Sequence, residues 1–366
     1  MYALCPQLMN YQGDPIITAP CNRGGHTSQR MRPWQNSCIV LAGIALTMAI
    51  MRRLVQLSRG SHAAGRALPV TPYKCPVPAV IHQRIDHVKP GRLIIVGDCH
   101  GTPELFRLLD KLQYNIATDN LVLAGDLVNK GPVSRDILDA VPKLGCWAVR
   151  GNHDDAVLSA WLQFRAGQQM NPKFEWVRNM TDEEAAVLLG LPFTVSIPQY
   201  GIVVVHAGFV PGLPIAHQDM WVMYKVRNVV REGEGQELTH GSATKTSSGV
   251  KRLDVIPRYR PIEKAKDGGG EAWGALWRGP PHVFFGHDAI RRLQLHPHAT
   301  GLDTGCVYGG QLTAAVMPPL AELRKQSSAF VAKMRLGEPV SREDLRVELV
   351  AVDAAEVYSP PGAVPT

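Results

Sequence analysis

Five short stretches of this 366-residue chain concentrate side chains able to hold hard metal cations. They are Gly97-Asp98-Cys99-His100-Gly101, Gly125-Asp126-Leu127-Val128-Asn129-Lys130-Gly131, Gly151-Asn152-His153-Asp154, Val205-His206-Ala207-Gly208 and Gly286-His287-Asp288. Each follows an apolar run, so each places its polar residues where a loop leaves a strand. Two divalent cations about 3.5 to 4 Å apart need a shared carboxylate and several further oxygen or nitrogen ligands, and they activate water for in-line attack on phosphorus. Asp98 and His100 stand two residues apart, so both can face one ion, and Asp126 at the next strand end is placed to bridge. Asn152, His206 and His287 would complete the shell of the second ion. Mixed oxygen and nitrogen donors without thiolates suit Mn, Fe, Zn or Co, and the residues alone do not choose among them.

His153 has no place in either shell, which suggests a general acid for the leaving-group oxygen, its tautomer held by Asp154 or another carboxylate. Phosphoryl transfer also requires cations on the phosphate oxygens, and Lys130, Arg150, Arg227 and Arg278 are the candidates. Cys99 lies between two ligands, where its small size explains it as well as reactivity does. His217, His282, His296 and His298 fall outside the blocks and read as ordinary structural histidines.

The supporting elements follow from periodicity. Leu93 to Val96 and Leu121 to Ala124 are β-rich runs that stop on Gly-Asp, and between them Leu105, Leu108, Leu109 and Leu112 keep helical spacing behind a Thr102-Pro103 start. Helices are expected at 134–141 and 155–165, and a strand at 146–150. Further strands are expected at 193–197, 201–205 and 282–285. Alternation of this kind predicts an α/β sandwich around a buried sheet. Residues 231–271 are polar, contain Gly268-Gly269-Gly270 and lack periodicity, so they read as a surface insertion within a catalytic domain spanning 90–316. A helix at 319–335 and a final strand or hairpin at 345–358 complete the domain, and the Pro-rich end reads as loose.

The net charge of +7 is unevenly spread. Residues 1–85 hold nine basic side chains against Asp14 alone, a net of +8, which leaves about −1 for the remainder. The basic character therefore belongs to a leader rather than to a nucleic-acid-binding face. Within it, Cys38 to Met51 is apolar apart from Gly43 and Thr47 and precedes Arg52-Arg53; as a helix it would span roughly 21 Å against a hydrocarbon core of ~30 Å. Three readings stand side by side: a signal anchor that makes membrane contact through 38–51, an organellar transit segment of mitochondrial type, or an upstream extension preceding a start at Met48 or Met51 in a cytoplasmic protein. The seven cysteines form no C-x-x-C pair, which argues against a zinc ribbon or a disulfide framework.

The order and spelling of the blocks resemble the calcineurin-like metallophosphoesterases of the phosphoprotein phosphatase superfamily, whose pattern is GDxHG, GDxVxRG, GNHE or GNHD, then two later histidines. Gly-Asp-Leu-Val-Asn-Lys-Gly-Pro, Val-His-Ala-Gly-Phe, Phe-Gly-His-Asp and the fourteen-residue block 301–314 are similar to the ApaH-like phosphatases, relatives of the bacterial symmetric diadenosine tetraphosphatase. The likeness covers 92–316 and the final hairpin near 347–360, displaced by the segment 317–345. It implies a β-sandwich flanked by helices, with Asp98, His100 and Asp126 on one metal, Asp126, Asn152, His206 and His287 on the other, and His153 as the acid. The protein phosphatases carry Asp-Arg where this chain has Asn129-Lys130, so the carboxylate that would orient His153 is missing and bidentate phosphate recognition is lost. That departure weakens the phosphoprotein reading, and the resemblance to the ApaH-like branch implies a nucleoside polyphosphate substrate, such as a dinucleoside tetraphosphate or a 5′-capped RNA. Inorganic polyphosphate and phosphoproteins are alternative substrates, and a catalytically inert metal-holding scaffold is a reading of another class.

Overall fold

The computed structural model describes residues 69–232, 258–264 and 269–360. The expected leader segment 38–51 lies outside them. Among the described residues, no helix is long and apolar enough to cross a membrane.

Among the described residues, fourteen strands form three sheets. The first has the order β14 (Glu348–Asp353), β13 (Gln311–Met317), β2 (Leu93–Val96), β3 (Asn120–Leu123), β4 (Trp147–Ala148). The second runs β1 (His82–Arg84), β5 (Thr194–Ile197), β6 (Ile202–Val205), β10 (His282–Phe285), β12 (Ala299–Gly301), β11 (Gln294–Leu295). A small antiparallel sheet has β7 (Asn228–Arg231) between β8 (Tyr259–Ile262) and β9 (Glu271–Ala272).

Strand alternation sorts the side chains into layers. Leu93 and Ile95 of β2 and Val122 of β3 point inward with Val195, Ile202, Val204 and Phe284 of the second sheet, forming the core between the sheets. Ile94, Val96, Leu121 and Leu123 face the other way, onto helices Glu104–Lys111, Ser134–Leu144 and Asn152–Arg165. Val203, Val205, Val283 and Phe285 cover the outer face of the second sheet with Phe209, Trp273 and Trp277. The result is a four-layer sandwich. Strands buried on both faces read as unbroken apolar runs, which is why β2, β3, β6 and β10 stood out in the sequence.

The parallel arrangement positions the site. β2 pairs with β3 in parallel and β6 with β10 in parallel, so the loops following each pair leave a common edge. There backbone contacts tie the loops within each pair, Gly286 N–H donating to the His206 carbonyl at 2.8 Å and His100 N–H to the Asp126 carbonyl at 2.7 Å, and His287 N–H crosses between the sheets to the Asp98 carboxylate at 3.1 Å.

Several expectations are corrected. The folded body begins before residue 86: Cys75 is fully buried, Val70 bridges Pro76, and β1 pairs in parallel with β5. The residues His82-Gln83-Arg84 form a polar edge strand and carry no apolar signal. The insertion at 231–271 has strands at its ends, since β7, β8 and β9 pair with one another. Thr102 does not cap its helix; its hydroxyl donates to the Cys99 carbonyl at 2.9 Å. The stretch 319–335 is two helices, Leu320–Gln326 and Ser328–Leu336, broken at Ser327, whose hydroxyl caps the second by accepting from Phe330 N–H.

Candidate active site

The ligand candidates occupy unusual backbone. His100, Asp126 and His287 all have positive φ, at 48°, 47° and 68°, and Asn129 and Lys130 follow at 78° and 79°. Left-handed backbone at non-glycine residues costs free energy and is kept where the surroundings enforce it, commonly at functional sites. The sharp reversal after each strand lets the side chains turn inward. The flanking glycines make room: a side-chain carbon at Gly151 would overlap Asp126, and one at Gly286 would overlap Asp98.

Donor atoms of Asp98, Asp126 and His206 lie within 4.8 Å of one another, as do those of His100, Asp126 and His153, so Asp126 is common to both groups. Hydrogen bonds set the imidazole tautomers. His206 Nδ1 donates to the Ala124 carbonyl at 2.9 Å, which turns its Nε2 lone pair toward Asn152 Oδ1, 3.2 Å away. His287 Nε2 donates to the Lys225 carbonyl at 3.2 Å, leaving Nδ1 facing the same Asn152 oxygen at 3.0 Å. Three acceptors thus converge, an arrangement that only a cation or a proton satisfies. Asp98 and Asp126 are 3% and 2% exposed, and buried carboxylates require compensating charge.

The electrostatics agree. Burial, then repulsion from Asp303, raises Asp98 well above the usual carboxylate range. Burial acts in the same sense on Asp126, yet His206 and His153 hold its carboxyl well below that range. Burial would discharge His206, but Asp126 and Asp98 raise it to about 9. The field that favours a proton there would equally favour a metal ion. Burial, reinforced by Lys130 at His100 and Arg227 at His287, keeps those two imidazoles neutral and their lone pairs available. The residues therefore fit divalent metal ions.

His153 lies edge-on to His100 with ring centroids 4.9 Å apart, as close to His100 and Asp126 as a ligand would be. Its Nδ1 is 2.8 Å from Asn129 Nδ2. The Asn129 amide is oriented because its Oδ1 accepts from Lys130 N–H at 3.1 Å, so Nδ2–H donates to His153 Nδ1 and the imidazole proton stays on Nε2. This corrects the role given to Asp154. Asp154 is fully buried and accepts from Leu127 and Val128 N–H with one oxygen and from Gly151 N–H with the other, pinning the loop after β3 to the start of helix Asn152–Arg165.

The four cationic candidates part company. Lys130 Nζ lies 3.1 Å from His100 Nε2 and 2.9 Å from the Tyr308 hydroxyl. Arg227 donates from Nη2 to the His287 carbonyl at 3.2 Å. Arg150 is not at the site mouth: it is fully buried, with Nη1 on Asp155 and the Pro76 carbonyl and Nη2 on the Leu189 carbonyl. Arg278 is exposed and precedes the start of β10, at the opposite end of the strand from His287. Two residues went unassigned in the sequence reading. Tyr308 sits in a short turn, Cys306–Tyr308, and holds Lys130 by its hydroxyl. Asp303, buried beside Asp98, accepts from Gly305 N–H. Both belong to the 301–314 block, whose Gly-rich spelling was the available signal.

Buried donors that demand divalent cations, with cationic side chains beside them, are the equipment of a metal-dependent phosphoester hydrolase. Residues 91–291, more than half of the chain, match the calcineurin-like phosphoesterase family, and the chain belongs to that family. It is similar to the symmetrical bis(5'-nucleosyl)-tetraphosphatase of Pseudomonas putida, 30% identical over 266 residues, covering 60% of this chain and 87% of that one. The enzyme of that name from Aromatoleum aromaticum is 29% identical over 256 residues, with 60% and 91% covered. Serine/threonine-protein phosphatase 1 of Salmonella typhimurium is 28% identical over 244 residues, with 65% and 97% covered. A solved structure provisionally assigned as a diadenosine tetraphosphatase superposes with a TM-score of 0.55 at 30% identity, covering 75% of this chain and 98% of that one.

Proposed function

We propose that this protein hydrolyses a phosphoanhydride in a nucleoside polyphosphate, a dinucleoside tetraphosphate or a 5′-capped RNA, at a centre holding two metal ions. The observation that carries this reading is the contact between Asn129 and His153. A carboxylate at position 129 would accept from Nδ1–H and favour the doubly protonated imidazolium, a strong acid for an alcohol leaving group. The Asn129 amide donates instead, which disfavours that form and leaves a neutral imidazole with its proton on Nε2. A nucleotide expelled from an anhydride is a much weaker base than the alkoxide of serine or threonine, so it needs less protonation. The site is thus better matched to anhydrides than to phosphoproteins. The tetraphosphatase names of the relatives at 29–31% identity point the same way.

The metal ions, when bound, supply positive charge on the phosphoryl oxygens and an activated water as nucleophile. Asp98, His100 and Asp126 would hold one, and Asp126, Asn152, His206 and His287 the other. Lys130, fixed by Tyr308, and Arg227, fixed by the His287 carbonyl, would grip phosphate oxygens from opposite ends of the donor set. His153 presents Nε2–H to the leaving oxygen, with Asn129 keeping the ring in place.

The test is a side-by-side assay of the purified chain, with Mn, Co or Zn added, on diadenosine tetraphosphate, capped RNA, long-chain polyphosphate and a phosphoserine peptide. The reading expects the highest kcat/KM on a nucleoside anhydride. A higher value on the phosphopeptide would overturn it, and a higher value on long-chain polyphosphate would move the substrate to the inorganic polymer.

A further inference from the structure

Beside His287, Arg227 belongs to a charged group whose other side chains, Lys225 and Glu263, are not among the metal donors. Lys225 ends helix Met220–Lys225, and its carbonyl is the acceptor that fixes the His287 tautomer. Its ammonium lies 5.5 Å over the Tyr73 ring and 3.6 Å from Glu263 Oε1. Arg227 Nη1 approaches the same Glu263 oxygen, also at 3.6 Å, while its Nη2 is tied to the His287 carbonyl and its Nε lies 3.5 Å from Asp288. Lys225, Arg227 and Glu263 have side chains 17%, 19% and 26% exposed, so the group is shielded but reachable.

The two cations and the carboxylate are held very differently. Lys225 is anchored by the aromatic face and Arg227 by a backbone carbonyl, neither of which involves Glu263. Glu263 follows β8 and approaches both cations only at ion-pair distance, beyond a good hydrogen bond. Such a carboxylate contributes little and can leave without moving its partners. An incoming phosphoryl group, with more charge and more acceptor oxygens, would replace it.

We propose that Lys225 and Arg227 form a second phosphoryl subsite on the His287 side of the metal centre, and that Glu263 is its resident counter-ion, displaced by a substrate with two or more linked phosphoryl groups. The subsite takes a phosphoryl group next to the one attacked, so it selects anhydrides over monoesters. This rests on the anhydride reading above and names the residues that would enforce it.

The test is calorimetric binding to the metal-loaded full chain, comparing inorganic phosphate with methylene diphosphonate, which carries two phosphoryl groups and is not hydrolysed, with metal content checked afterwards. Lys225→Met should weaken the diphosphonate about tenfold more than it weakens phosphate, Lys225→Arg should keep the preference, and Glu263→Gln should tighten the diphosphonate by about threefold. These effects should shrink as salt is raised. Equal weakening of both ligands by Lys225→Met, or no tightening by Glu263→Gln in chains with the parent melting temperature, would overturn the subsite. A parent chain that prefers the diphosphonate yet hydrolyses no nucleoside polyphosphate would instead overturn the anhydride reading and leave the subsite standing.

Discussion

Arg150 separates a phosphate-binding role from a structural one, and its replacement by Met gives opposite outcomes under the two. The guanidinium lies at no exposure among three segments that are distant in sequence. It reaches Asp155 at 3.2 Å, the Pro76 carbonyl at 3.1 Å and the Leu189 carbonyl, at the end of helix Asp182–Gly190, at 2.6 Å. It also lies 5.7 Å over the Phe193 ring. Removing one partner of a buried ion pair leaves the other charge uncompensated and costs about 3–5 kcal/mol. Near the transition, each kcal/mol shifts melting by about 2–4 °C in a domain of this size, so Arg150→Met should melt about 6–20 °C below the parent. Tyr224, whose hydroxyl is 3.5 Å from Asp155, relieves little of the loss at that distance.

Catalysis per folded molecule should fall much less, because the Arg150 guanidinium is bonded to Pro76, Asp155 and Leu189, none of them a ligand candidate. The assay pairs thermal unfolding with kcat/KM measured at least 15 °C below the mutant transition. Adding Asp155→Leu to Arg150→Met should recover part of the melting temperature, since the stranded carboxylate goes with its partner. If Arg150→Met melted like the parent and lost kcat/KM tenfold or more, the buried assignment would be wrong and the phosphate-binding role restored.

Asp126→Asn should lower kcat by at least about 100- to 1000-fold and reduce bound metal measured by elemental analysis, because Asp126 is the residue common to both donor groups. Asn129→Asp should speed hydrolysis of alkyl phosphates relative to p-nitrophenyl phosphate; an unchanged ratio across leaving groups would remove Asn129 from control of His153. Stripping metal with a chelator should abolish hydrolysis and lower the melting temperature, with about 2.7 kcal/mol lost relative to metal held at 100 times its Kd. Truncation to begin at residue 86 should lower the melting temperature by deleting β1 and the buried Cys75, and a chain of that length melting like the full one would refute the part given to them.

What was legible in the sequence, and what was not, follows from the range over which each residue is decided. β2 and β6 are apolar throughout and β3 and β10 after their first residue, with both faces buried, so a short apolar run suffices to mark each. The ligand blocks were legible because Gly-Asp and Gly-His reversals after such strands are local too, and the positive φ at Asp126 and His287 is the backbone counterpart of that spelling. β1 and β7 were missed because their pairing partners, not their own side chains, make them strands. Arg150 looked like a site residue because it adjoins the Gly-Asn-His-Asp block, and nothing near it in sequence names Leu189 or Pro76 as its partners. Position 129 shows the sharper difficulty. Its type reads as a lost carboxylate, and the sequence offers Asp154 in that place, whereas in the structure the Asn129 amide itself meets His153, filling the place of a carboxylate with the hydrogen bond reversed. The direction of that bond depends on which end of Asn129 the Lys130 N–H engages, and only the folded loop decides it. Under the proposed function the same reversal would move the chemistry, keeping a ring positioned to serve a leaving group while weakening it as an acid, a compromise that would suit anhydrides over alkyl esters.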